Sequence, residues 1–93
     1  MYYFYVLYSL KDQKLYKGFS SDIGKRFLKH QAGGTPSTKH RRPMVLIYLE
    51  TYPKKEEALR RERETKTPEG GIALVKQLIH NEILTEDRKL QKS

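Results

Sequence analysis

Six residues of this chain have side chains and spacings that could support chemistry on an anion. Two tyrosines, a glycine, an arginine, a histidine and a glutamate follow one another as Tyr5, Tyr16, Gly18, Arg26, His30 and Glu62. An arginine can donate paired hydrogen bonds to a phosphate, an imidazole can move protons near neutral pH, and a carboxylate can hold a hard cation. Each residue alone is explained as well by packing, by a solvated charge or by a surface ion pair. The prediction that these six residues form one site therefore rests on their order and spacing in the chain.

The two tyrosines are expected on a β-hairpin. Residues 2–8 are aromatic and β-branched, residues 10–13 are polar, and residues 14–19 alternate in polarity, as in two strands joined by a turn. A hairpin of this length can bring Tyr5 and Tyr16 to the same side of the sheet, and a glycine within a strand often marks the close approach of a backbone or a ligand. Alternation along the first strand predicts two faces, Tyr3, Tyr5 and Leu7 against Phe4, Val6 and Tyr8.

The arginine and the histidine are expected on one helix face. N-cap candidates at residues 20–22 begin a helix that runs to about Gln31, and Arg26 and His30 are four residues apart on it. Residues 32–39 have the composition of a loop. Residues 44–50 form a near-continuous apolar run, which suits a central strand.

A charged helix over residues 54–67 is predicted to carry Glu62. Pro68, Gly70 and Gly71 should break it, before an amphipathic helix over residues 72–84. The expected buried positions of this last helix are Ile72, Val75, Leu78, Ile79 and Ile83.

The order β-β-α-β-α-α predicts an α/β (α+β) fold, with a small, three-stranded, mainly antiparallel sheet flanked by helices. With 93 residues, the chain fits one domain, placed at residues 1–84, followed by a polar tail over residues 85–93 that is expected to fray. The apolar N-terminal segment is too short to span a bilayer and lacks the features of a signal peptide. These features predict a cytoplasmic protein that does not associate with membranes.

Composition limits the partners and the metal ligands. Lysine and arginine total 19 against 11 acidic residues, and a formal charge of +8 favours a polyanionic partner. The basic run Lys39, His40, Arg41 and Arg42 is interpreted as a contact to a phosphate backbone, the alternative being a solvated loop. The chain has no cysteine, so a metal would need oxygen or imidazole ligands.

The ordered set resembles the GIY-YIG nuclease family over about residues 2–80. The first motif is present as Tyr3-Phe4-Tyr5 and the second as Tyr16-Lys17-Gly18. The segment DIGKRFLKH matches the family's arginine helix, EEALRRE resembles its glutamate helix, and TKHRRPMVLIY resembles its loop and third strand. The chain is most similar to the short stand-alone bacterial branch, whose members are often described as excinuclease-subunit-like.

This resemblance implies a metal-dependent endonuclease that hydrolyses phosphodiester bonds, with DNA as the expected nucleic acid, Mg²⁺ or Mn²⁺ as the metal, and DNA repair as one pathway. It implies catalytic roles for Tyr5, Tyr16, Arg26, His30 and Glu62, with Glu62 as the metal ligand. The predicted nucleic-acid contacts are Gly18, Lys39, His40, Arg41 and Arg42. The general base stays open: a phenol with a pKa of about 10 is a poor base unless cations lower that pKa, whereas an imidazole has a pKa of about 6.5.

Two other functions fit the same residues. One is a DNA- or RNA-binding module of this fold that cuts weakly or not at all, and the other is a basic adaptor that uses the aromatic strand as its contact surface. Because 93 residues leave no room for a separate targeting domain, a protein partner that supplies targeting is also expected.

Overall fold

The structure, a computed structural model, describes residues 1–91 and confirms the predicted sheet. Strand β1 (Tyr2–Ser9) lies in the centre and pairs antiparallel with β2 (Leu15–Ser20) on one side and with β3 (Met44–Tyr52) on the other. Tyr5 is opposite Gly18 in β2 and opposite Leu49 in β3. Residues 92 and 93 of the predicted tail lie outside the described residues.

The expectation that the apolar run would form the central strand was wrong. β3 is an edge strand whose residues are mostly half-buried, and Leu49 is 40% exposed. Residues 4–9 of β1 are all buried, because only this strand has a neighbour on each side. An apolar run shows that side chains are covered, but it does not show how many strands flank the backbone.

The helix that was predicted to end near Gln31 forms as α1 (Ile23–Gln31), with Asp22 as its N-cap. The Asp22 side chain accepts a hydrogen bond from the Lys25 backbone N–H at 3.0 Å. The segment predicted as a loop contains a short helix, α2 (Pro36–Lys39), which begins with a proline in its first turn. The charged helix forms as α3 (Lys55–Thr65).

The last helix begins four residues earlier than predicted. Helix α4 (Pro68–His80) starts directly at Pro68, because proline needs no hydrogen-bond acceptor at the first helical position, and the Thr67 side chain caps it by accepting from the Gly70 N–H. A Cβ atom at Gly70 would lie 1.7 Å from the Glu64 carbonyl oxygen, so this glycine lets α4 start against the end of α3.

The core is divided by the sheet, as the alternation along β1 predicted. One face of β1, which carries Phe4, Val6 and Tyr8, packs against residues of α4. The other face, which carries Tyr5 and Leu7, packs with Met44 on the side of the sheet that α1 covers. The predicted stripe of α4 needs correction. Its buried members are Leu74, Val75 and Leu78, while Ile72 is 50% exposed, because the first turn of α4 extends past the core.

Residues 85–91 turn back towards the domain. Leu84 and Leu90 form an isolated antiparallel bridge, and Leu90 packs against the core. The described part of the segment that was expected to fray therefore holds a defined turn. Among residues 1–91, no helix combines the length and the apolar character needed to cross a bilayer.

A closed polar network ties β3 to α3 and α4. The Glu50 carboxylate accepts hydrogen bonds from Tyr48 at 2.6 Å, from Tyr52 at 2.5 Å and from Arg61 Nε at 2.9 Å. Arg61 also donates to the Gln77 side chain at 3.1 Å, and its guanidinium lies over the Phe4 ring. Because Glu62 follows Arg61, this network sets the position of the helix turn that carries Glu62.

Candidate active site

Tyr5 and His30 form a buried hydrogen-bonded pair between β1 and α1. The Tyr5 hydroxyl lies 2.9 Å from Nε2 of His30, and the two residues are 1% and 0% exposed. His30 is therefore buried beside Tyr5 and is not a solvated charge at the end of α1. A buried histidine that bonds to a buried tyrosine can exchange a proton with it.

Thr38 completes this pair, and the sequence did not single it out. Nδ1 of His30 lies 2.7 Å from Thr38 Oγ1, and the Thr38 hydroxyl donates to the Thr35 carbonyl at 3.5 Å. With the threonine proton directed at that carbonyl, the hydrogen-bond pattern favours the tautomer in which the Thr38 oxygen accepts the Nδ1 proton of His30. Nε2 is then free of a proton and accepts the hydrogen bond from Tyr5. Thr38 is fully buried on α2, in a segment whose composition predicted only a loop.

Both groups are held in the protonation states that this hydrogen bond needs. Burial, and then the neighbouring Tyr16, raises the pKa of Tyr5 to about 12, although Arg26 partly opposes the shift. Burial, and then the charges of Arg26 and Lys29, lowers the pKa of His30 below 6.5. At neutral pH the phenol is therefore protonated and the imidazole is neutral.

Tyr16 joins the pair from β2. Its ring centroid lies 6.3 Å from that of Tyr5 and 5.0 Å from that of His30, and it meets the imidazole edge-to-face. Gly18 leaves the space that the Tyr5 ring occupies, because a Cβ atom at residue 18 would lie 2.4 Å from both Cζ and the hydroxyl oxygen of Tyr5. This packing explains the glycine, while a nucleic-acid contact at Gly18 stays a prediction.

Arg26 and Glu62 both act on the Tyr5 hydroxyl. Arg26 lowers the pKa of Tyr5 through its charge and a hydrogen bond, whereas the negative charge of Glu62 raises it. Arg26 also lines a depression of about 320 Å³ together with Lys25 and Lys29. The structure therefore gathers the four other predicted catalytic residues around the Tyr5 phenol, and the catalytic roles of all five stay predictions.

Glu62 is the candidate metal ligand. Its side chain is 21% exposed, and its carboxylate lies 3.4 Å from Nζ of Lys66. Residues 1–91 contain no group of three or more histidine, aspartate or glutamate side chains that could hold a metal. A single carboxylate still fits Mg²⁺, which commonly keeps several waters and binds through one or two carboxylates and substrate phosphates.

The basic run is split by the fold. Lys39, His40 and Arg42 line a cleft of about 520 Å³, and His40 lies there rather than beside Tyr5. Arg41 instead forms an ion pair with Asp12 at 2.6 Å and donates to the Leu15 carbonyl. The Arg41 hydrogen bond holds the pKa of Asp12 at about 2. The structure thus brings three of the four basic residues together.

Known proteins resemble this chain in sequence and in fold. The family model described as the GIY-YIG catalytic domain matches residues 1–71. A UPF0213 protein of Staphylococcus saprophyticus is 48% identical over 66 residues, which are 70% of this chain and 79% of that protein. One from Staphylococcus epidermidis is 46% identical over 70% of this chain and 80% of its own length. The solution NMR structure of a UPF0213 protein from Bacillus halodurans is similar at a TM-score of 0.51 and 36% identity, and the similarity covers 83% of this chain and 85% of that one.

Proposed function

This chain belongs to the GIY-YIG family, and we propose that it is a metal-dependent endonuclease that hydrolyses phosphodiester bonds in DNA. The observation that carries the proposal is the buried chain of hydrogen bonds from Tyr5 through His30 to Thr38, beside an arginine and a carboxylate.

The proposed general base is the Tyr5–His30 pair acting together. The Tyr5 proton points to Nε2, so a lone pair of the hydroxyl oxygen is left to accept a proton from water. As water attacks phosphorus and the scissile P–O bond breaks, Tyr5 takes the water's proton and passes its own proton to Nε2, which becomes protonated, while the leaving oxygen takes a proton from solvent. A phenol with a pKa of about 12 is not ionised beforehand, which favours this concerted transfer over a preformed phenolate.

Arg26 is proposed to bind the phosphate under attack. Its guanidinium can donate two parallel hydrogen bonds to non-bridging oxygens and stabilise the charge that develops on them. Lys25 and Lys29 line the same depression and would hold neighbouring phosphates. Tyr16, in contact with the imidazole edge, is proposed to orient His30.

Glu62 is the proposed ligand of a divalent cation, Mg²⁺ or Mn²⁺. Such an ion, when bound, supplies Lewis-acid stabilisation to phosphate oxygens.

The DNA backbone is proposed to lie in the cleft lined by Lys39, His40 and Arg42, with Gly18 and Arg41 as further contacts. The proposal extends to a cytoplasmic location, a role in DNA repair and a protein partner that supplies targeting.

A second candidate is a DNA- or RNA-binding module that does not cut. One observation favours it: the Lys66 ammonium lies against the carboxylate that a metal would need. Such an ion pair weakens the attraction of Glu62 for a cation, so metal binding and cleavage must both be measured.

The test is a cleavage assay on labelled duplex, single-stranded and branched DNA with Mg²⁺ or Mn²⁺. We expect Glu62→Ala and Arg26→Ala to lower the rate by about 10²-fold or more, as when one group that stabilises a transition state is removed. Glu56→Ala and Arg63→Ala are matched controls, because these residues are exposed on the helix that carries Glu62. Cleavage that survives both site substitutions would reject this site. No cleavage by wild type, together with salt-sensitive binding, would favour the binding module.

A further inference from the structure

A second basic cleft, of about 520 Å³, opens on the face of β2 opposite Tyr16, where β2 meets the corner between α3 and α4. Its volume lies within the range of small-molecule sites. Four cationic side chains line it: Lys14, Lys17, Lys66 and Arg88. None of its described lining residues is acidic. Although Lys66 pairs with Glu62 outside the cleft, the gathered positive charges still repel one another, and an anion bound among them would relieve that repulsion.

Lys17 is fixed at the inner end of this cleft. Its ammonium donates to the Thr65 carbonyl at 3.0 Å, at the end of α3. Burial, and then the charge of Lys66, lowers the pKa of Lys17. A Cβ atom at Gly71 would lie 3.5 Å from the Lys17 nitrogen and 3.3 Å from the Thr65 oxygen. The glycine therefore leaves room at the ammonium.

One wall of the cleft is apolar. Ile72, Val75 and Leu15 line it, and Ile72 is the residue that the helical pattern predicted as core but that the fold leaves half-exposed. A site with several cations on one side and aliphatic surface on the other suits a ligand that has an anionic part and a flat, weakly polar part. A nucleotide has these two parts, a phosphate and a base.

The cleft is connected to the candidate active site through Lys66. This residue lines the cleft, and its ammonium also pairs with Glu62 at 3.4 Å. Lys17 is likewise the direct neighbour of Tyr16 in β2. A nucleic-acid strand that reaches Glu62 could therefore continue over Lys66 into the cleft.

We propose that this cleft binds an unpaired nucleotide of the nucleic-acid strand engaged at the active site, with its phosphate among Lys14, Lys66 and Arg88 and its base against Ile72 and Val75. The identity of the ligand rests on the proposed function, because the same surface chemistry would accept a free nucleotide. The cleft would give the protein a preference for single-stranded, flapped or branched DNA over continuous duplex.

The test measures binding without cleavage. The full chain, in buffer with EDTA so that the DNA stays intact, is titrated with a labelled single-stranded dT oligonucleotide, a duplex of equal length, and dTMP. The charge-reversal variant Lys14→Glu/Arg88→Glu is compared with Lys55→Glu/Lys76→Glu, which changes the net charge equally at exposed positions that do not line the cleft. Fluorescence anisotropy gives affinities at several salt concentrations, and methyl NMR spectra follow Ile72 and Val75.

We expect the cleft variant to weaken single-strand binding about tenfold more than the control variant does. The slope of log K against log salt should also become shallower by roughly 0.7, because the cleft holds one phosphate and each phosphate that a protein neutralises on a single strand adds about 0.7 to the slope. The methyl signals of Ile72 and Val75 should shift with the oligonucleotide and stay unchanged with the duplex.

The proposal would be overturned if the two variants weakened single-strand binding equally, or if the methyl signals of Ile72 and Val75 did not shift with the oligonucleotide. It would also be overturned if dTMP bound as tightly as the oligonucleotide, because the cleft would then be a site for free nucleotides. The cleavage assay, and not this titration, would show that the protein is not a nuclease. Because the titration needs no cleavage, the cleft can bind as proposed even if wild type cuts nothing with Mg²⁺ or Mn²⁺.

Discussion

Thr38 Oγ1 lies 2.7 Å from Nδ1 of His30, on the side of the imidazole opposite the Tyr5 hydroxyl. Through this bond, a residue of a four-residue helix favours one of the two nitrogens of a buried histidine as the proton carrier. The proposed proton transfer depends on that choice, because Nε2 accepts from Tyr5 only while it is unprotonated. Thr38 is therefore a positioning residue rather than a catalytic one.

Thr38→Val should lower kcat by about tenfold or more with little change in KM, because the imidazole loses the acceptor that holds its proton on Nδ1. The buried Nδ1–H left without a partner should also destabilise the fold by about 1–3 kcal/mol. Nitrogen NMR of the imidazole would report a mixture of tautomers. Thr38→Ser keeps the hydroxyl and should restore both the rate and the single tautomer. A Val variant that keeps the wild-type tautomer would contradict this role.

Gly18→Ala should lower activity and stability together, because its Cβ would meet the Tyr5 ring at 2.4 Å and the opposing strands leave little room to adjust. Overpacking of this kind destabilises by about 1–3 kcal/mol. Gly24→Ala is the matched control. A Cβ there meets only the Asp22 side chain, at 3.8 Å, so this change in α1 should stabilise the protein by up to about 1 kcal/mol. Thermal unfolding of both variants would check the pair, and a Gly18→Ala protein as stable as wild type would refute the expectation.

Stability should fall as the pH drops below about 6.5. Because the pKa of His30 is lower in the folded protein than its ordinary value of 6.5, protonation favours the unfolded chain. The stabilisation is complete above pH 6.5 and is lost as the pH falls through the lower folded pKa. Denaturant unfolding across this range should give a flatter pH profile for His30→Gln than for wild type. The exposed His80 serves as a control, because His80→Gln should keep the wild-type slope.

Arg61→Met should destabilise the protein by about 2 kcal/mol, since it leaves the Glu50 carboxylate without its cation in a half-buried site. Burial alone would raise the pKa of Glu50, but the hydrogen bonds from Arg61, Tyr48 and Tyr52 outweigh it and keep that pKa low. The double variant Glu50→Gln/Arg61→Met should recover part of the loss, because no unpaired charge remains. Urea unfolding of the three variants would measure this coupling, and additive losses would rule it out.

Lys66→Met should strengthen metal binding at Glu62 by up to about fivefold, because an exposed ion pair contributes about 1 kcal/mol or less. Calorimetric titration with Mn²⁺ in the absence of DNA isolates this effect from any loss of nucleic-acid binding. Glu62→Ala should abolish the binding that Lys66→Met improves. Equal Mn²⁺ affinities for wild type and Glu62→Ala would show that the metal, if bound, is held elsewhere.

The local features of the chain were readable from its sequence. Alternation along residues 2–8 predicted both faces of β1, and the cap at Asp22 predicted the helix that places Arg26 and His30 on one side. These features depend on residues close together in the chain, so short-range periodicity and capping determine them. Local phase set the faces on which Tyr16, Arg26, His30 and Glu62 lie in their own elements, and the packing of those elements brings them around Tyr5.

Only the tertiary structure decided which distant groups meet. It placed β3 at the edge, left Ile72 outside the core, paired Arg41 with Asp12 across 29 positions of the chain, and gave His30 its partner Thr38. No local pattern distinguishes these outcomes, because a half-buried strand can have one neighbour or two and an arginine can pair with any carboxylate it reaches. Strand order, ion-pair choice and the partner of the buried histidine follow from packing the whole chain at once.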